Sequence, residues 1–364
     1  MRSVRFLSIL ALFSSTVVAD ETPGVLETLF LNGEKPPTVS CHASTIEHSP
    51  SGLVASWFGG AYEKHPDVGI WVTRQVNGEW TPPVEVADGV QYTRPDGSVH
   101  RHPTWNPVLF QYPDAGPLML FYKCGPSPDS WWGMMMSSTD GGVTWTDPVR
   151  LPEHIDGPVR NKPILLDDGT LLCGSSTEFD GWRVHFEFTK DQGRKWQRIR
   201  AIHDGKTFGA IQPTLLQHPD GRIEALCRNQ DGNGQVLTTS STDQGKTWTA
   251  LKEVGLPNPN SGIDGVVLQD GRTLLIYNHT KRRGTQPRGR EMINIGITED
   301  GLNWQAAAVL ENESRSEFSY PAVIQSPDGM VHITYTWKRK LVRYVKVDPG
   351  QLQLTSIEGE DWPF

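Results

Sequence analysis

The chain has 364 residues, with 34 Lys and Arg against 42 Asp and Glu and a formal net charge of −8. An acidic balance of this size argues against nucleic acid as a partner, since phosphate binding needs a basic surface. Gly (36), Pro (27) and Trp (13) are abundant, which suits many short strands joined by tight turns and disfavours long helices.

In chain order, residues 1–19 read as a cleavable export signal. Arg2 and Arg5 precede an apolar run from Phe6 to Val18, and Val17-Val18-Ala19 offers small residues before Asp20. The run is short for a bilayer span, and no later segment is longer and apolar. The expectation is a secreted or periplasmic monomer with residues 20–364 as one domain and no membrane span. A strand over residues 25–31 is predicted to join the last sheet of the chain and leave no open edge.

Beyond it, an apolar run, a Gly-bearing turn and a second apolar run recur six times, with turn glycines Gly52, Gly116, Gly169, Gly221, Gly271 and Gly329. Asp-Gly between apolar runs signals a hairpin, so six hairpins predict six small sheets. Out of phase with these runs a second pattern, Ser/Thr-x-Asp-x-Gly-x-x-Trp, appears at Ser138–Trp145, Thr189–Trp196 and Ser241–Trp248, and shortened at Thr298–Trp304. Its tryptophans step by 51, 52 and 56 residues, about one four-stranded sheet each. Self-similarity at that period predicts an all-β radial repeat, a six-bladed β-propeller. Within the motif the Asp and Ser/Thr oxygens can accept turn N–H groups, Gly supplies positive φ, and Trp can wedge between sheets. These recurring Asp residues therefore read as structural.

The four cysteines would suit two disulfides in an oxidising compartment. Three of them, Cys124, Cys173 and Cys227, instead end equivalent apolar strands, and with Cys41 they read as buried thiols. There is no His-x-x-x-His or Cys-x-x-Cys pair, so neither a metal nor another cofactor is expected.

In a propeller the innermost strands of the blades ring the channel, and reading back from each hairpin gives one polar residue per strand start: His42, Asn106, Lys162, Gln212, Asp264 and Tyr320. Such a ring is either a solvated rim or a ligand pocket. Aromatic and basic neighbours, including His102, Trp105, Trp131-Trp132 and Arg160, favour the pocket.

The repeated turns resemble the Asp boxes, or BNR repeats, of the sialidase superfamily, over about residues 26–349. That resemblance implies a sialidase-like propeller whose arginines grip a substrate carboxylate. It places Arg228 of Leu226-Cys227-Arg228-Asn229 and Arg290, eight residues before Thr298, in the second and third arginine positions. It makes Tyr320 the nucleophile and Asp67 of His65-Pro66-Asp67 the acid–base residue. The chain departs from the family at two positions. Cys41-His42-Ala43-Ser44 replaces the motif of the first arginine, and Gln212 stands where a glutamate assists the tyrosine. A neutral amide cannot take the phenol proton. With His42 and Tyr320 as a proton-transfer pair and the arginines on a carboxylate, the first expectation is β-elimination at a uronate, as in propeller-type lyases that act on rhamnose linked to glucuronate. Exo-sialidase or related glycoside hydrolysis is the alternative, and non-catalytic glycan binding a second one. Arg160, Lys162, Asn106, Gln212 and Asp264 complete the expected substrate-binding set. Glu178, Glu187 and Glu317 are further acidic residues without distinguishing spacing. The partner implied is an acidic oligosaccharide or polysaccharide.

Overall fold

A computed structural model describes residues 22–33, 35–231, 233–282, 289–358 and 361–364; the export signal expected over residues 1–19 lies outside them. The six predicted hairpins are present, each joining the innermost strand of a blade to its second strand. Blade 1 is built on Ser40–Ser49, Gly52–Gly60 and Gly69–Val76, and blade 2 on Thr104–Gln111, Leu118–Cys124, Trp132–Ser138 and Val149–Arg150. Blade 3 comprises Ile164–Leu165, Leu171–Thr177, Arg183–Thr189 and Gln197–Arg198, and blade 4 Ala210–Gln217, Ile223–Asn229, Gln235–Ser241 and Lys252–Pro257. Blade 5 runs Asp264–Val267, Thr273–Tyr277, Met292–Thr298 and Trp304–Asn312. Blade 6 has Phe318–Gln325, Val331–Trp337 and Leu341–Val347, and its fourth strand is the N-terminal Val25–Phe30, antiparallel to Leu341–Val347. That pairing closes the ring as expected. No helix among the described residues is long and apolar enough to cross a membrane.

Apolar alternation on each blade buries side chains between neighbouring sheets, so the core is divided. Six buried clusters fill the six blade-to-blade gaps. One joins Trp57 of blade 1 to Tyr344 of blade 6 across the closure. All four cysteines are buried free thiols in these layers, and burial pushes Cys41 up to about 12 and Cys124 to about 11.

The Asp boxes form the turns between third and fourth strands, on the outer side of the blades. In the blade 4 box the Asp243 carboxylate accepts the Thr247 N–H at 2.9 Å and the Thr247 hydroxyl at 2.6 Å, while Gly245 N–H donates to Ser241 Oγ at 2.9 Å. Gly245 has φ +81°, and a Cβ there would come within 2.8 Å of Leu172 in blade 3. The turn thus needs glycine for both conformation and close approach. Trp248 stacks on Phe186 of blade 3 at 3.8 Å between ring centroids, so the wedge bridges two sheets. One hairpin differs from expectation: in blade 2 it is Asp114 and Ala115, and not Gly116, that take positive φ.

Candidate active site at the channel mouth

A backbone device repeated on the innermost strands positions the site. Asn106, Gln212 and Tyr320 each precede a proline and sit at positive φ (39°, 55° and 55°), where the pairing register to the second strand slips. Such a bulge re-aims a side chain out of the sheet plane. In blade 1 the equivalent residue is Ala43 (φ 53°), so His42 stands one residue earlier. In blade 3 Arg160 has positive φ (82°). Lys162 and Asp264 lie beyond these points.

That phase difference separates the expected substrate-binding residues into two groups. Lys162 and Asp264 pair with each other at 3.0 Å. Lys162 also donates to Gly265 O, and Asp264 accepts Thr214 Oγ1 at 2.6 Å and Val323 N–H at 2.9 Å. These bonds tie blades 3, 4, 5 and 6 together, and they occupy the two side chains expected to meet a ligand. Asn106 is buried beside Trp105. The expected acid–base residue, Asp67, is also engaged locally. Its carboxylate accepts the Ala61 N–H at 3.1 Å and meets His65 Nδ1 at 2.6 Å. Burial opposes ionisation, but these partners hold it below the ordinary aspartate range.

The remaining residues converge on Tyr320. Arg228 Nη1 donates to the Tyr320 hydroxyl at 2.6 Å and to Gln212 Oε1 at 3.3 Å, and Arg228 Nε donates to Asn260 Oδ1 at 2.7 Å. The guanidinium groups of Arg160 and Arg290 lie 5.2 and 5.6 Å from the centre of the Tyr320 ring. Arg160 is fully buried, bonded to the Pro321 carbonyl and to Asn161 Oδ1. The His42 ring packs against Tyr320 at 4.1 Å, tilted by 47°. Its Nδ1 meets Thr336 Oγ1 at 2.9 Å, and its buried Nε2 has no partner among the described residues.

The electrostatics follow from this packing. Burial alone would raise the Tyr320 phenol, but Arg228 and Arg290 outweigh it, helped by Gln212, and the phenol is held below its ordinary range. Burial lowers His42 far below the usual histidine range, and Arg339, Arg290, Arg160 and Arg228 add to that. The imidazole is neutral. Burial likewise lowers Arg160 to about 10.

Sequence reasoning did not single out Arg339, Glu63, Trp182 or Asn260. Arg339 Nε donates to Glu317 at 2.8 Å and its Nη1 to Glu63 at 2.7 Å; Glu317 also pairs with Arg290 at 3.1 Å. In the sequence Arg339 is the middle of Lys338-Arg339-Lys340, indistinguishable from a solvated turn. The findable signal was topological: turns between second and third strands lie at the same mouth as the innermost-strand starts. Four arginines facing two carboxylates, Glu63 and Glu317, leave an excess of positive charge in an acidic protein. That site suits an anion.

Among the described residues, Asp156, His185 and Glu187 come together in a group that could hold a metal ion. Here the Glu187 oxygens accept the Asp156 and Gly157 N–H groups and meet His185 Nε2, while Lys123 donates to the Pro158 carbonyl. The cluster fastens the segment that leads into Arg160.

A closed six-bladed ring with Asp boxes and an arginine-lined mouth defines a sialidase-like propeller. Residues 51–333 match the BNR repeat-like domain, and the chain belongs to that family. It is 23% identical over 233 residues to an anhydrosialidase of Macrobdella decora and 24% identical over 221 residues to a sialidase of Bacteroides fragilis (strain YCH46), each match covering 56% of this chain. Those matches span only 30% and 39% of the two relatives. Among solved structures, a protein of unknown function from Dyadobacter fermentans DSM 18053 has TM-score 0.71 at 16% identity, covering 92% of this chain and 100% of the other. The intramolecular trans-sialidase from Ruminococcus gnavus, in complex with oseltamivir carboxylate, has TM-score 0.69 at 12% identity, covering 90% and 98%. These similarities establish the sialidase-like propeller fold.

Proposed function

We propose that the protein cleaves a terminal acidic sugar from a glycan, with Tyr320 as the attacking group. The observation that carries this reading is the Tyr320 hydroxyl held 2.6 Å from Arg228 beneath further arginines. A sugar carboxylate replaces solvent between Arg228, Arg290 and Arg339, which neutralise it. The phenol, already biased toward its anion, gives its proton to solvent and attacks the anomeric carbon as the phenolate. The glycosidic C–O electron pair leaves with the departing oxygen, which takes up a proton. Water then attacks the same carbon and frees Tyr320. In place of a carboxylate base, the arginine field favours the phenolate, and Gln212 supports it by hydrogen bonding. The relatives named as sialidase and anhydrosialidase move this reading ahead of elimination.

One observation favours the second reading. The neutral His42, whose Nε2 has no partner among the described residues, stands against Tyr320, where it can take a proton α to an arginine-bound carboxylate. That is β-elimination at a uronate. The test is turnover of sialylated and uronate-capped glycans followed by mass spectrometry and ultraviolet absorbance. A saturated acidic sugar as product supports hydrolysis, an absorbing unsaturated uronate supports elimination, and binding without conversion of any glycan overturns both. His42→Ala separates them further: elimination is abolished, whereas hydrolysis at Tyr320 survives in reduced form.

A further inference from the structure

Either reaction leaves negative charge on the departing oxygen, so a proton donor is needed on the open side of the site. The acidic candidates are Glu63, Asp129, Glu178 and Glu317, which lie near the arginines, and Asp67, the residue expected from the family resemblance. Four are engaged. Glu63 pairs with Arg339, and Glu317 pairs with Arg290 and Arg339. Asp129 bonds to Ser127 and Ser130, and Asp67 is held by Ala61 and His65. Ion-paired or hydrogen-bonded carboxylates hold their charge and are poor acids.

Glu178 differs from all four. It follows the strand Leu171–Thr177 directly, in the turn before Arg183–Thr189, and it is half-buried. It makes no hydrogen bond or ion pair with any described residue. The same turn carries Trp182, whose ring centre lies 5.0 Å from the Arg228 guanidinium, so it drapes over the arginine site. We propose that Glu178, and not Asp67, is the proton donor to the leaving oxygen, an assignment that rests on the cleavage reading above. The Glu178 O–H proton passes to the glycosidic oxygen as the C–O bond breaks toward it, and the resulting carboxylate takes a proton from the water that completes turnover. Burial raises this carboxyl above the ordinary glutamate range; Asp129 and Glu63 push the same way, and Arg228 and Lys64 only partly oppose it. It therefore stays protonated to higher pH than an ordinary glutamate does.

Glu178→Gln keeps the side-chain shape, and an unchanged thermal midpoint confirms its fold. The comparison uses one acidic sugar carried either on an oligosaccharide or on 4-nitrophenol, whose anion leaves without a proton. The expected result is a fall of about 10²- to 10⁴-fold in kcat/KM on the oligosaccharide, with only a few-fold change on the nitrophenyl glycoside. An acid catalyst works in its protonated form, so wild-type activity declines as pH rises through the raised midpoint. That alkaline limb disappears in Glu178→Gln and returns, at lower rate, in Glu178→Asp. Equal losses on both substrates, or the leaving-group contrast in Asp67→Asn in place of Glu178→Gln, overturn the assignment. Wild-type failure on both substrates removes the cleavage reading itself, and this role with it.

Discussion

The outer turns and the channel mouth both carry acidic side chains set in place by the blade repeat, and they treat those side chains in opposite ways. Asp140, Asp243 and Asp300 are saturated: each accepts hydrogen bonds from its own turn and is held below the ordinary aspartate range by them. At the mouth, Glu317 is shared between two arginines, and Glu178 is left without a partner among the described residues. A carboxylate whose lone pairs are filled locally stabilises its turn. One left unfilled beside guanidinium groups is poised for a ligand or a proton. The residue type is the same; the difference lies in what the backbone around it supplies.

The largest test of that contrast is Tyr320→Phe. It removes the reacting oxygen and leaves the ring that packs on His42, Arg160 and Arg290. Turnover should fall on the order of 10³-fold or more, while affinity for a non-hydrolysable acidic sugar, measured by calorimetry, changes little. Arg228→Ala should act mainly on binding. It deletes charge-assisted bonds of about 1.5–3 kcal/mol, which corresponds to a weakening of about 10- to 150-fold in Kd. Loss of affinity in the first variant but not the second would reverse the roles given to these two residues.

The fold was legible because the signals that specify it are local and repeated. Gly245 and Trp248 need only their own turn and one neighbouring sheet to be readable, and the motif recurs four times, three of them at the same spacing. Much of the site was legible in two ways: blade phase placed His42, Gln212 and Tyr320, the family resemblance added Arg228 and Arg290, and the five converge. For Lys162 and Asp264, a one-dimensional alignment cannot see that the positive-φ position in blade 3 falls two residues earlier, at Arg160, or that the two side chains pair with each other across the channel. Arg339 was hidden for a related reason. Its partners Glu63 and Glu317 come from the first and last blades, which meet only once the ring closes.

On the outer side of the comparison, Asp243→Ala should lower the thermal midpoint by a few degrees and leave kcat/KM unchanged, because the turn lies away from the mouth. The folded carboxyl is depressed to about 2 from an ordinary value of 3.8. Its contribution is therefore present above pH 4 and lost as pH falls toward 2, so wild type and variant should converge in acid. A difference that persists at pH 2 would mean the turn is held by something other than the ionised carboxylate.

A last test concerns Glu47, on the innermost strand Ser40–Ser49. Burial pushes its carboxyl from the ordinary 4.5 to about 7, against the opposing pull of the His48 N–H and the Lys162 charge. The folded state thus holds this proton more tightly than the unfolded chain does. Stability is lost as pH rises from 4.5 toward 7, and no further loss follows above that. In Glu47→Gln this contribution is absent, so the wild-type thermal midpoint should decline relative to the variant across that window and run parallel to it on either side. Parallel curves throughout would show that the channel solvates Glu47 as freely as water does. Carboxylate strain in the ring would then be confined to the mouth, where Glu178 stands.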